Sequence, residues 1–207
     1  MKNALISRVK DNMDKYRTYA SLMERYKKAL DEQFYFEALI ITYAMLEDRL
    51  RSMLYYMGTF DTRNSPNVSE KTKQDLAVIL HNKGGENVGF KLNNITGKMN
   101  LIEAVIVWAE AANENENEYS FYLRELKSLM ESVDVDDVLR TFREMEKWLE
   151  FRNEVIHASL NKNIEALYEG LGEKIELGMQ YARDLDSYVR VMKKDNSLRK
   201  HLKMGDE

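Results

Sequence analysis

Apolar residues recur at three- and four-residue spacings along most of this chain, and no segment alternates apolar and polar residues as a half-buried strand would. Such spacing places the apolar side chains on one face of an α-helix. Proline occurs once, at Pro66, so uninterrupted helices are permitted over most of the 207 residues. The pattern predicts an all-α fold, with helices near residues 3–29, 31–57, 70–81, 95–113, 119–131, 135–159 and 161–198.

The predicted helix at 31–57 is apolar over most of its circumference, which is typical of a helix at the centre of a bundle. Its apolar side chains include Phe34, Phe36, Leu39, Ile40, Ile41, Tyr43, Leu46, Leu50, Met53 and Leu54. Glu47 and Asp48 interrupt this surface. They are the acidic side chains that we expect on the buried face.

The predicted helix at 135–159 carries a charge on its apolar face. Asp134 is placed to act as its N-cap. At about 100° per residue, Arg152 falls within the same arc of roughly 140° as Val138, Phe142, Met145, Trp148, Leu149, Val155 and Ile156. Removing a guanidinium from water is costly unless it is paired, so we expect Arg152 to pair with Glu47 or Asp48.

Two polar residues lie beside this arginine. Asn153 and His157 are four residues apart, which places them next to each other at the edge of the apolar arc. The long side chain of Arg152 can reach the same edge. Histidine exchanges protons near neutral pH, and arginine presents a planar, permanently charged fork to phosphate. The pattern therefore marks these three residues as a candidate catalytic site.

Residues 152–157 read Arg-Asn-Glu-Val-Ile-His, late in a long helix and directly before Ala158. This segment resembles the motif of HEPN domains, in which an arginine and a polar residue, often asparagine, are followed by a histidine. The apolar pattern of the helix at 31–57, with Leu-Glu-Asp-Arg-Leu at 46–50, is similar to the family as well. The resemblance implies a HEPN-like helical bundle that dimerises so that two motifs meet in one cleft.

The resemblance also implies a function. Many HEPN proteins are metal-independent endoribonucleases of toxin–antitoxin, abortive-infection and CRISPR defence systems. Carried over to this chain, the resemblance implies that Arg152, Asn153 and His157 are the catalytic residues. The expected pairing with Glu47 or Asp48 would support them by holding Arg152 in position. RNA brings its own nucleophile, the ribose 2′-hydroxyl, so no metal or other cofactor is expected. The expected partners are RNA, a second copy of the chain, and an antitoxin or regulatory protein.

A homodimer is also expected from the pattern itself. Leu139, Phe151 and Ala158 lie on the helix at 135–159 but outside its main apolar arc. Association with a second copy would cover this additional apolar surface.

Two other interpretations remain open. Glu154 and His157 have the Glu-x-x-His spacing of carboxylate-bridged metal bundles, but the chain has no second copy of that spacing, and Glu154 points away from the apolar arc. A HEPN-like fold could also act without catalysis, as a binding or assembly module. For the other histidines, His81 and His201, we expect solvated positions.

Composition narrows the class of protein. Cysteine is absent, which excludes disulfides, thiolate metal sites and cysteine nucleophiles, and favours a reducing cytoplasm. Residues 1–16 mix basic and acidic side chains, so no secretory signal is expected there. The longest apolar run covers about six residues, too few for a membrane span. We therefore expect a cytoplasmic protein with no membrane-spanning segment.

Charge is distributed unevenly within a chain whose formal net charge is −4. Residues 1–30 carry eight Lys and Arg against three Asp and Glu, whereas residues 101–150 carry five against thirteen. The segment 187–207 is basic again. We interpret the chain as one helical domain, 1–207, with an N-terminal helix in residues 1–30 and a basic C-terminal tail in 187–207. Both basic ends are expected to be solvated faces, although a local basic groove could hold RNA.

Overall fold

The structure, a computed structural model, describes residues 12–59, 68–82, 92, 94–112, 120–158, 169–194 and 198. Within these residues it contains seven α-helices and no strand, so the predicted all-α fold is confirmed. The helices are α1 (Asn12–Asp31), α2 (Tyr35–Tyr56), α3 (Glu70–Asn82), α4 (Ile95–Ala111), α5 (Ser120–Glu131), α6 (Val135–Ala158) and α7 (Leu171–Lys194). Predicted helical residues 3–11, 113, 119, 159, 161–168 and 195–197 lie outside the described residues, as do His201 and the tail at 199–207.

Local sequence signals explain several helix ends. The predicted N-cap of α6 is confirmed, because the side chain of Asp134 accepts a hydrogen bond of 3.0 Å from the amide of Asp137. Helix α2 ends at Tyr56, and two residues later Gly58 has a φ of 71°, a conformation that glycine adopts without a steric penalty. There the amide of Gly58 bonds to the carbonyl of Tyr55, and the amide of Thr59 bonds to that of Leu54. This pair of bonds is the Schellman arrangement, which satisfies the last carbonyls of the helix.

Helix α2 is central, as predicted, and packs most extensively against α7. Gly172 lies against the ring of Tyr35 near the start of both helices, and Arg49 bonds to Asp186 nearer to their ends. The two helices therefore run parallel. The buried side chains of α2 and α7 belong to one continuous apolar core that extends through α4, α5 and α6.

Helices α1 and α6 complete the surroundings of this central pair. Helix α1 runs antiparallel to α2, because Arg25 pairs with Glu37 and Tyr19 contacts Asp48. Helix α6 packs on α7 and α4, and it runs antiparallel to α7. The end of α6 that carries residues 152–157 therefore lies near the start of α7. None of the described helices is long and apolar enough to span a membrane.

The apolar surface expected to remain exposed on α6 is largely covered within the chain. Ala158 is buried, and Leu139 and Phe151 are half-buried against the core. The exposed large apolar side chains of the described residues lie elsewhere, and they include Phe34 and Ile40 at and near the start of α2. These three side chains therefore do not form an uncovered apolar surface on α6, and the homodimer stays a prediction.

Candidate active site

The position of α6 is fixed by Trp148. Its buried indole ring packs directly on Gly178 of α7, where a Cβ atom would lie 2.3 Å from the ring. The indole Nε1 also donates a hydrogen bond of 2.7 Å to the carbonyl of Lys174. Only glycine permits this approach, so Gly178 and Trp148 together set the distance between the two helices. Arg152 lies one helical turn beyond Trp148 on the same face.

Arg152 is half-buried, and its guanidinium lies over an aromatic ring. The Cζ atom is 4.4 Å from the ring centroid of Tyr43 on α2, a distance suited to a cation–π interaction. Its Nη1 donates a hydrogen bond of 3.0 Å to Oδ1 of Asn153. Its Nε is buried and has no hydrogen-bond partner among the described residues. The guanidinium is therefore held in place, although not all of its hydrogen-bond donors have an acceptor among the described residues.

The predicted pairing of Arg152 with Glu47 or Asp48 is wrong. Glu47 accepts a hydrogen bond of 2.9 Å from the Nζ atom of Lys98, a lysine that is almost completely buried. Asp48 accepts hydrogen bonds from Tyr19 and Arg49. A single sequence could not identify these partners, because the Lys98 that pairs with Glu47 lies 51 residues away and the Tyr19 that bonds to Asp48 lies 29 residues away.

The structure brings Arg152 and Asn153 together, as the sequence predicted, and leaves Asn153 and His157 exposed near the end of α6. On an ideal helix Arg152 and His157 point about 140° apart, so helical spacing alone does not join them. The hydrogen bond to Asn153 draws the guanidinium toward the edge that Asn153 shares with His157. Solvent can reach this edge of the helix.

Two residues near this site were not identified from the sequence. Tyr43 supports the guanidinium, but nothing in the sequence separates it from the eleven other tyrosines. Lys174 lies at the start of α7 with its Nζ atom 4.4 Å from the ring centroid of Phe151, and it adds a second cation near the end of α6. Both contacts are formed between distant parts of the chain.

Metal ligands are not clustered in the part of the chain that the structure describes. No group of three or more His, Cys, Asp and Glu side chains is arranged there to hold a metal ion. Glu154, which shares the Glu-x-x-His spacing with His157, is exposed.

A second polar cluster lies along the later halves of α2 and α7, around Arg49. The side chain of Arg49 is only 13% exposed, and its Nη1 and Nη2 atoms each donate a hydrogen bond of 2.7 Å, to Asp186 and Asp48 respectively. Its guanidinium also lies 4.5 Å from the ring centroid of Tyr19 and hydrogen-bonds to the hydroxyl of that residue. Arg49 is therefore a fully partnered arginine.

The charges of this cluster shift the pKa values of its acids. Burial alone would raise the pKa of the Asp48 carboxyl, but the charges of Lys15 and Arg49 and the hydrogen bond from Tyr19 hold it below its usual value. Burial, together with the neighbouring Asp48 carboxylate, raises the pKa of the Tyr19 hydroxyl. Asp48 is thus stabilised as a carboxylate, and Tyr19 remains a neutral hydrogen-bond donor to it.

Comparisons with models of known protein families, with curated proteins and with solved structures gave no match for this chain. The resemblance to HEPN domains therefore depends on the residues of the motif and on their places along the chain.

Proposed function

We propose that this protein is a metal-independent endoribonuclease of the HEPN type, with Arg152, Asn153 and His157 in its active site. The state of the Arg152 guanidinium is the observation that carries the proposal. Tyr43 and Asn153 hold it in place, and no carboxylate among the described residues neutralises it. A guanidinium that is positioned but not neutralised is suited to binding a phosphate.

The chemistry needs one proton acceptor and one proton donor. His157 takes the proton from the ribose 2′-hydroxyl, and the 2′-oxygen then attacks the adjacent phosphorus. The bond from phosphorus to the 5′-oxygen breaks, and that oxygen receives a proton from a protonated histidine. Arg152 stabilises the negative charge that builds up on the phosphoryl oxygens. The products are a 2′,3′-cyclic phosphate and a 5′-hydroxyl end.

A homodimer would supply two histidines to one cleft, one as the base and one as the acid. Apolar exposure near the motif supports this part of the proposal. Ile40 is 59% exposed and lies one turn from Tyr43 on α2, and Phe34 is 56% exposed just before that helix. Exposed apolar side chains of this size favour burial against another surface. A second copy of the chain, docked along the start of α2, would bring the two Arg152 side chains toward each other.

Purified protein incubated with mixed RNA in excess EDTA tests the proposal. We expect cleavage that leaves 2′,3′-cyclic phosphate ends, and a loss of about 100-fold or more in rate for His157→Ala, because general acid–base catalysis contributes at least that much. The same RNA with a 2′-deoxyribose at the cleaved position should not be cut there. Light scattering on the same sample should give twice the 24.4 kDa mass of one chain.

His81→Ala is the matched control, since His81 is an exposed histidine at the end of α3, and this variant should retain the wild-type rate. Equal cleavage by wild type and His157→Ala would show that a contaminant cuts the RNA. No cleavage of any RNA would favour a non-catalytic HEPN-like module, and activity that requires added iron or manganese would favour a metal site. A monodisperse monomer at micromolar concentration would contradict the dimer.

A further inference from the structure

A groove runs between α1, α2 and α7, away from the end of α6 that carries the motif. It has a volume of about 850 Å³, and its described lining includes Lys15 and Tyr16 of α1, Arg49 of α2, and Arg190 and Lys193 of α7. Between Met179 and Lys193, the part of α7 along this groove rises about 21 Å. The fold therefore joins two basic regions that are far apart in the sequence, one near the start of the chain and one in the segment 187–194.

Positive charge is in excess along this groove. Its described lining contains five cationic residues and one carboxylate, Asp186. Asp186 pairs with both Arg49 and Arg190, and Asp48 just beneath pairs with Arg49 and more distantly with Lys15. Even with both carboxylates counted, the described residues at the groove keep an excess of three positive charges. An acidic chain that concentrates this much positive charge in one groove is arranged to bind a polyanion locally.

The groove is lined by both polar and apolar side chains, and the apolar ones include Met23, Met45, Met179 and Val189. Arg49, Asp186 and Tyr19 meet there in one hydrogen-bonded network. An apolar helix face placed on this network would cover charged groups without bonding to them, which is unfavourable. A phosphate backbone can interact with the cations on both walls.

An aromatic side chain also lines this groove. Tyr16 lines it from α1 and is 70% exposed, so most of its ring is open to a ligand. Unpaired bases stack on such rings, and binding sites for single strands combine stacking with a basic groove along the backbone.

We infer that the groove between α1, α2 and α7 binds single-stranded nucleic acid through its phosphate backbone, with Tyr16 stacking on a base. This site is distinct from residues 152–157, and the inference does not depend on whether those residues catalyse cleavage. Arg183, Arg190 and Lys193 form the α7 wall of the groove, and all three are exposed.

Fluorescence anisotropy with a labelled single-stranded RNA of about 12 nucleotides tests this inference. Every protein in the experiment carries His157→Ala, so that cleavage cannot affect the signal. Replacing Arg183, Arg190 and Lys193 by alanine should weaken binding about tenfold or more. The same change should reduce the slope of log K against log salt by about 2, because each lost phosphate contact removes about 0.7 from it.

The matched control replaces three exposed cations on α5 and α6, Arg124, Arg143 and Lys147, by alanine and so changes the net charge equally. Its affinity should stay within about twofold of the starting protein. Undetectable RNA binding by the starting protein would overturn the inference, as would equal losses in the two triple variants. Binding of an acidic helical peptide at the groove, without RNA binding, would identify a protein-docking surface instead.

Substitutions of Tyr16 test whether the groove binds a nucleic-acid strand or only the phosphate of a single nucleotide. Tyr16→Ala should weaken RNA binding about fivefold or more, and Tyr16→Phe, which keeps the ring, should change it less than about twofold. Adenosine monophosphate at millimolar concentration should compete poorly. Full displacement of the RNA by this nucleotide, or equal affinity of Tyr16→Ala and Tyr16→Phe, would contradict a strand that stacks on Tyr16.

Discussion

Two arginines of this bundle lie over tyrosine rings at almost the same distance, yet their surroundings differ. The Cζ atom of Arg49 is 4.5 Å from the ring centroid of Tyr19, and that of Arg152 is 4.4 Å from Tyr43. Arg49 donates to two carboxylates. Arg152 donates to the amide oxygen of Asn153 and keeps a buried Nε atom with no partner among the described residues.

The difference distinguishes a buried arginine that stabilises the fold from one that can bind a ligand. A guanidinium that meets two carboxylates ties helices together, and its charge is already compensated. A guanidinium positioned by a ring and an amide keeps its charge available for an anionic ligand. Arg49 therefore joins α2 to α7, whereas Arg152 is the one of these two arginines that we assign to the site of RNA cleavage.

Removal of the two arginines should have unequal effects on stability. Arg49→Ala leaves Asp48 and Asp186 without their shared partner, and we expect a loss of about 2 kcal/mol in the free energy of unfolding. This value is below the 3–5 kcal/mol typical of a broken buried pair, because both carboxylates are partly exposed. Arg152→Ala should cost about 1 kcal/mol or less, the scale of a cation–π contact. Urea unfolding of the two variants measures both values.

Equal destabilisation by the two variants would remove the distinction between a structural and a functional arginine. A larger loss for Arg152→Ala than for Arg49→Ala would reverse it.

A smaller effect is expected on the pH dependence of the free energy of unfolding. The pKa of Asp48 is lowered in the folded protein, so the unfolded chain takes up a proton at a higher pH than the folded one does. The stability contributed by this carboxylate is therefore complete above the ordinary aspartate pKa of 3.8 and is lost as pH falls through the lower, folded value. Urea unfolding from about pH 7 to about pH 3 should show this loss in wild type and less of it in Asp48→Asn, by about 1 kcal/mol or less.

Asp136→Asn is a suitable control, since Asp136 is an exposed aspartate in the first turn of α6. It should follow the wild-type pH dependence more closely than Asp48→Asn does. If Asp48→Asn and wild type lose stability in parallel below pH 3.8, Asp48 does not contribute in the way that its surroundings indicate.

Helix positions were predictable because their signals are local. Helix α6 was predicted at 135–159 and is found at Val135–Ala158, because its N-cap, periodicity and lack of glycine and proline all lie within one segment. Which helices pack against each other was harder to predict from the sequence. The last helix, α7, is the main partner of α2, and this packing depends on side chains more than 130 residues apart, such as Arg49 and Asp186.

The candidate site was predictable only in part, for the same reason. The neighbourhood of Arg152 and Asn153 follows from the helix that they share. The group that lies beneath the guanidinium cannot be predicted from that helix alone. Tyr43 occupies the place at which a carboxylate was expected. Glu47 was unavailable because Lys98, a residue of α4, is buried beside it. Likewise, Lys15 of α1 and Arg190 of α7 line one groove only because both helices pack on α2.

The rate of RNA cleavage by Arg152→Gln, in excess EDTA and under single-turnover conditions, tests the central claim most directly. Glutamine keeps a polar side chain at this position but removes the charge. We predict a rate about 100-fold or more below that of wild type, as for the loss of a group that stabilises the transition state, while the fold is retained. A wild-type rate for Arg152→Gln would show that the Arg152 charge takes no part in cleavage and would contradict the account.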